Sequence, residues 1–224
     1  VPRARYVDFN QGVDARLFTE EIVEQLSRIA IRPLRIAFDD IKTFPSYNKA
    51  IRMSAAAGLK DFSNYLLYNF VDKPLDLYQR LRINVELCDE LNVNIYSFPM
   101  KYHPIRKGKD DAEDLSHNRD YIGKHWNRKY IRAIQAILNS TKGKVGKGIT
   151  FFLEAFGNDE TEYMELLEMP ETFILYRFFF KWLDEKGSMG TDHWRQCWSH
   201  CMNTLAEDEK QLVLDIIHTN TFYK

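Results

Sequence analysis

Four short stretches hold the residues best suited to chemistry. Asn10, Gln11 and Asp14 follow RYVDF, and Asp39 and Asp40 follow LRIAF. Asn69 and Asp72 close NYLLYNFVD, and Ser97, Pro99, Met100, Tyr102 and His103 end NVNIYSFPMKYH. The chemistry on offer is hydrogen bonding by carboxylates and carboxamides. Taken singly, such residues also serve as turn and cap residues. A second constellation, His193, Cys197, His200 and Cys201 in DHWRQCWSHCM, carries zinc-ligand types on one helix face. The ends of that stretch are about 12 Å apart along a helix, so one metal cannot collect all four. A two-ligand half-site shared with another segment and plain core packing are the remaining readings. A third, His117, His125, Trp126, Arg128, Lys129 and Arg132, is a basic patch with aromatic members. It suits RNA or a phosphate-bearing substrate, but a net charge of −1 favours a solvated helix face over nucleic acid. No Walker loop, dinucleotide fingerprint or nucleophile elbow is present.

The elements that must position the first set repeat in pattern. Strand-like runs occur at 5–9, 34–38, 64–70 and 92–98, with starts about 30 residues apart, the length of a βα unit. TEEIVEQLSRI follows the first, with Glu20 and Glu21 at a helix start. SYNKAIRMSAAAG follows the second, with Ser46 as cap and Gly58 as stop. DKPLDLYQRLRINVELCDELN follows the third, with Asp72 at the N-cap and an apolar face through Tyr78, Leu81, Val85, Cys88 and Leu91. Strands alternating with helices predict an α/β fold with a parallel sheet. The expectation is a partial (β/α) barrel of about four units over 1–105, with helices on one side and all the strand ends on one rim, where ligands bind in such folds. Residues 106–224 read as a mainly α-helical extension, after an exposed loop KGKDDAEDLSHN and a helix WNRKYIRAIQAILNST. KGKVGKG reads as a flexible basic linker.

Composition bounds the function classes. With 45% hydrophobic and 14% aromatic residues the chain is a compact globular protein. Its longest apolar run, FILYRFFFKWL, is short and broken by Arg177 and Lys181, which predicts no membrane partner. Three cysteines and no signal-peptide pattern predict a cytoplasmic protein. A start at Val1 reads as a piece of a longer protein or a processed chain, and an open half-barrel predicts self-association through exposed sheet edges.

The first hundred residues resemble the second half of a radical S-adenosylmethionine (AdoMet) enzyme barrel. The resemblance lies in FNQGVDARLFTEEIVEQL, LRIAFDDI, GLKDFSNYLLYNFVDKPLDLYQRL and VNIYSFPMKY, in that order. It implies a [4Fe–4S] cluster and AdoMet in a full-length protein, whose 5′-deoxyadenosyl radical abstracts hydrogen from an unknown substrate. By position it implies Asp39 near the ribose or methionine moiety, and Asn10 and Asp14 near substrate or cofactor. It implies Asn69 and Asp72 on the strand that cradles the adenine, and Phe98, Pro99 and Met100 as an apolar wall against it. Arg16, paired with a carboxylate, and Tyr102 and His103 fall on the substrate side. The family's CxxxCxxC loop and Gly-Gly-Glu segment are absent, so the chain alone is expected to hold neither cofactor and to be inactive. The alternatives are a non-catalytic binding or scaffold module and, third, a metal-dependent hydrolase or isomerase, for which only His103 lies near a strand end.

Overall fold

The computed structural model describes residues 5–104 and 121–219. Three parallel strands, β1 (Leu34–Arg35), β2 (Asp61–Tyr68) and β3 (Asn94–Lys101), lie in the order β1-β2-β3. Pairing runs from Leu34 against Phe62, and from Asp61 against Asn94 to Tyr68 against Lys101. Helix α1 (Glu20–Ser27) precedes the sheet, α2 (Phe44–Ala56) links β1 to β2, and α3 (Pro74–Leu91) links β2 to β3.

The expected first strand is not a strand. Val7 and Val13 make single parallel bridges to Ile31 and Ile36, and the Gly12 N–H bonds to the Phe9 carbonyl between them. The Asn10-Gln11-Gly12 sequence, with Gly12 at φ +77°, turns the chain where a ladder would have to continue. Four complete βα units are therefore not observed. Two caps also differ from expectation. Ser46 lies inside α2, which begins at Phe44 with Pro45 in its first turn. The residue before α3 is Lys73, whose N–H bonds to Asp76 Oδ2 at 2.8 Å, and Asp72 is released for other contacts.

Alternation of side chains sets the two faces of the sheet. Leu34, Ile36 and Phe38, then Phe62, Asn64, Leu66 and Tyr68, then Ile95 and Ser97 are buried on one face. Both crossover helices cover that face. Tyr47 from α2 and Asn84 from α3 meet Asn64 from β2 and Ser97 from β3 in one buried hydrogen-bonded network. The other face carries Arg35, Tyr65, Phe98 and Met100, with Tyr65 38% and Met100 45% exposed.

Pro99 sits within β3, opposite Leu66. Asn94 N–H and Tyr102 N–H donate inward, to Lys60 and Tyr68, whereas Ser97 N–H donates outward, to Val145. Pro99 shares the parity of Ser97, so its missing N–H would have faced out and removes no bond to β2. Val145 returns its own N–H to the Ser97 carbonyl at 2.8 Å. KGKVGKG is thus an edge-pairing segment that occupies part of the β3 edge, not a free linker.

The second half is helical: α4 (Arg128–Ser140), α5 (Ile149–Phe156), α6 (Glu160–Glu168), α7 (Glu171–Leu175), α8 (Arg177–Glu185), α9 (Thr191–Thr204) and α10 (Glu207–Thr219). Pro170 separates α6 from α7 because it cannot continue a helix. One continuous core runs from the sheet into these helices, and Tyr78 Oη of α3 donates to the Gly157 carbonyl at the end of α5. Among the described residues no helix is long and apolar enough to cross a membrane.

Candidate functional site

The carboxyl ends of β1 and β2 converge on Arg80. This arginine is 0% exposed in mid-α3. Its Nη1 donates to the carbonyls of Phe38 (3.2 Å) and Asp39 (3.1 Å). Its Nη2 donates to Leu67 O at 2.8 Å and reaches Asp72 Oδ2 at 3.5 Å, and Nε donates to Asp76 O. A planar fork of donors suits several carbonyls arriving from different strands. Burial pulls the Arg80 pKa down and the charges of Asp72 and Asp39 oppose it. A guanidinium in a protein stays charged throughout.

The two acids beside it carry the mirror-image perturbation. Burial raises the Asp72 carboxyl, against the Phe70 N–H and the Arg80 charge, which lower it. Asp39 is also raised by burial of its carboxyl against the Leu67 N–H and Arg80, although the residue as a whole is open to solvent. The Tyr163 hydroxyl from α6 is buried without a hydrogen-bond partner. Its pKa is raised by that burial and by the Asp72 charge nearby.

Asn69 takes a left-handed conformation at φ +68° and closes the rim. Its Oδ1 accepts from Gly123 N–H at 2.8 Å, and its Nδ2 donates to the Tyr121 carbonyl at 3.0 Å. Trp126 Nε1 donates to the Asp72 carbonyl, and its ring lies 5.3 Å from that of Tyr68. Glycine is required at 123, because a Cβ there would stand 2.4 Å from the Phe70 carbonyl oxygen. Since that neighbour is backbone, Gly123→Ala is expected to destabilise the fold by about 1–3 kcal/mol through overpacking. A lowered thermal midpoint would register this, whereas an unchanged one would mean the rim closure is slack.

The remaining expected site residues are scattered. Asp14 is bound by its neighbour Arg16, with Arg16 Nε 2.9 Å from Oδ1, and that pairing holds the carboxyl down at about 2. Asn10 lies exposed in the turn before it. Pro99 and Phe98 are half-buried, and Phe98 packs 5.9 Å from the Tyr65 ring. Tyr102 packs between Phe70, at a tilt, and Tyr121, edge-on, and His103 is exposed. Asp39, Asn69 and Asp72 thus come together on one rim, while Asn10, Asp14 and Arg16 form a separate local group. Arg80 was missed as a site residue. Its signal was a charge three residues from Leu77 and four from Asn84, on the stripe that had to be buried.

The other constellations also resolve. Cys197 Sγ lies 3.8 Å from His193 Nε2, both exposed on α9, and no group of three or more potential metal ligands occurs among the described residues. The basic patch is not one surface. Trp126 and Lys129 are buried, and Arg132 pairs with Glu171. Lys129 donates to the Met169 carbonyl, and burial lowers its pKa to about 8. His117 and the KGKDDAEDLSHN loop lie outside the described residues.

Fold and rim together define a mixed α/β protein whose parallel sheet is wound in sequence order, with its crossover helices on one face. No family model, curated protein or solved structure matches the chain.

Proposed function

We propose that residues 1–105 are a segment of a (β/α) barrel related to the radical AdoMet enzymes, with the Val7–Val13 stretch standing in for the first of about four strands. The observation that carries this reading is the strictly sequential parallel order with both crossover helices on one face. That arrangement leaves Arg35, Tyr65, Phe98 and Met100 where a barrel has its interior. A cytoplasmic setting belongs to the same reading, supported by three free thiols.

The donor set does not fit a [4Fe–4S] cluster. Cys88 is buried with its Sγ 3.1 Å from the Ile95 N–H, while Cys197 and Cys201 lie exposed on α9. For AdoMet, the Phe98–Met100 wall is available with Met100 exposed, whereas the Asp39 carboxylate accepts from the Leu67 N–H and Asn69 and Asp72 are engaged in holding the rim. Calorimetric titration of this chain with AdoMet is expected to show no binding, and binding that Asp39→Ala weakens about tenfold, the worth of one charge-assisted hydrogen bond, would overturn that expectation. Reductive AdoMet cleavage above background after anaerobic iron–sulfur reconstitution would overturn the inactive-alone part. The second reading is a non-catalytic scaffold module, which the self-satisfied rim favours.

A further inference from the structure

The KGKVGKG segment builds a second cavity, away from the strand ends. It is an open-mouthed space of about 350 Å³ between the end of α4, the segment itself and α5. That volume is at the low end for small-molecule sites, room for a ligand of mononucleotide size rather than a dinucleotide.

Its wall combines two chemistries. Lys142, Lys144 and Lys147 contribute three ammonium-bearing side chains, and no Asp or Glu lines it. None of these lysines pairs with a carboxylate among the described residues: Lys144 Nζ lies over the Tyr96 ring at 5.1 Å and Lys147 Nζ donates to Asn92 Oδ1. Cations without a carboxylate partner lining one space favour a bound anion. Beside Ser140, Thr141, Val145 and Gly146, the wall carries aromatic rings, among them Phe152 and Phe151, the last 45% exposed. The backbone fixes this arrangement. Val145 is bonded to β3, and a Cβ on Gly146 would meet the Tyr96 ring at 3.2 Å, so glycine lets the segment lie directly against the ring. Gly148, which starts α5, brings no side-chain acceptor to the first helical N–H groups, which leaves that helix start electropositive.

We propose that this cavity binds a small organic phosphate with a planar aromatic body, its phosphate held by Lys142 and Lys144 and its ring against Phe151. A bare inorganic anion would leave the aromatic wall unused, and a neutral aromatic would leave the lysines unpaired.

The test is titration of the whole chain with AMP, adenosine and inorganic phosphate, followed by calorimetry or amide chemical shifts. AMP is expected to bind at least tenfold more tightly than either fragment, and more weakly as salt rises. Lys142→Ala/Lys144→Ala, at exposed positions, should weaken AMP at least tenfold with the circular dichroism spectrum unchanged. Phe151→Ala should weaken AMP without altering phosphate binding. No AMP binding, inorganic phosphate binding as tightly as AMP, or AMP affinity indifferent to the lysine pair would each overturn the proposal. Because Asp39 lies at the other site, Asp39→Ala should leave AMP binding unchanged, which separates this result from the AdoMet test.

Discussion

Arg80→Met is expected to lower the unfolding free energy by about 3–5 kcal/mol, the cost of breaking a buried charge pair from one side. Methionine retains much of the aliphatic volume and removes the donors. The carbonyls of Phe38, Asp39 and Leu67 would lose the guanidinium, and each buried acceptor left unpaired costs about 1–3 kcal/mol. Asp72 would keep its charge with no cation against it. Urea titration should show the midpoint falling by more than about 1 M, given slopes of about 1–3 kcal/mol/M for small proteins. Arg80→Lys keeps the charge but supplies a point donor in place of a fork. It should recover less than half of the loss, and it gives a measurable value if the methionine variant does not fold. A methionine variant within about 1 kcal/mol of the parent, inside the range of ordinary surface substitutions, would mean that water replaces the guanidinium and that Arg80 does not hold the strand ends.

The second large effect lies under the sheet. Asn84→Ala should destabilise the protein by about 2–4 kcal/mol, because the buried Ser97 hydroxyl loses its donor and the buried Tyr47 hydroxyl loses the acceptor for its proton. Asn84 Oδ1 accepts from Tyr47 Oη at 2.8 Å, and Asn84 Nδ2 donates to Ser97 Oγ at 2.8 Å. Tyr47 Oη also accepts from Asn64 Nδ2, so the four residues tie two helices to two strands. Tyr47 further stacks on Phe38 with ring centroids 4.2 Å apart. Tyr47→Phe preserves that stacking and removes only the hydroxyl. A cycle of Tyr47→Phe, Asn84→Ala and the double variant should therefore be non-additive by about 0.5–3 kcal/mol, as for residues in one network. Strict additivity would show that the hydroxyl and the amide act independently.

Much of the local structure was legible. The repeat of strand-like and helical stretches anticipated α1, α2 and α3 and the parallel sheet, because a helical apolar stripe and a strand's alternation are written within about ten residues. The apolar stripe of α3 buries Tyr78, Leu81, Val85 and Cys88 as its spacing required. The first expected strand failed because RYVDF has strand composition but runs into Asn10-Gln11-Gly12, and a turn there removes the ladder. KGKVGKG was misread because its glycines and lysines resemble a linker, while its one apolar residue, Val145, finds the open edge of β3.

The candidate site shows the division most sharply. Local pattern was enough to put Asp39, Asn69 and Asp72 at strand ends, since a strand followed by a helix must end in turn and cap residues. It did not determine what they would touch. Asn69 meets a residue 54 positions away and Arg80 one 42 positions away. Only the tertiary structure decided that a buried guanidinium gathers the ends of two strands, that the chain's own Gly123 and Trp126 close the rim, and that three lysines end beside an aromatic cavity. The reason is physical: local pattern reflects the conformational preferences of neighbouring residues, whereas the partner of a buried polar group is set by which distant segments the whole core brings within hydrogen-bonding reach.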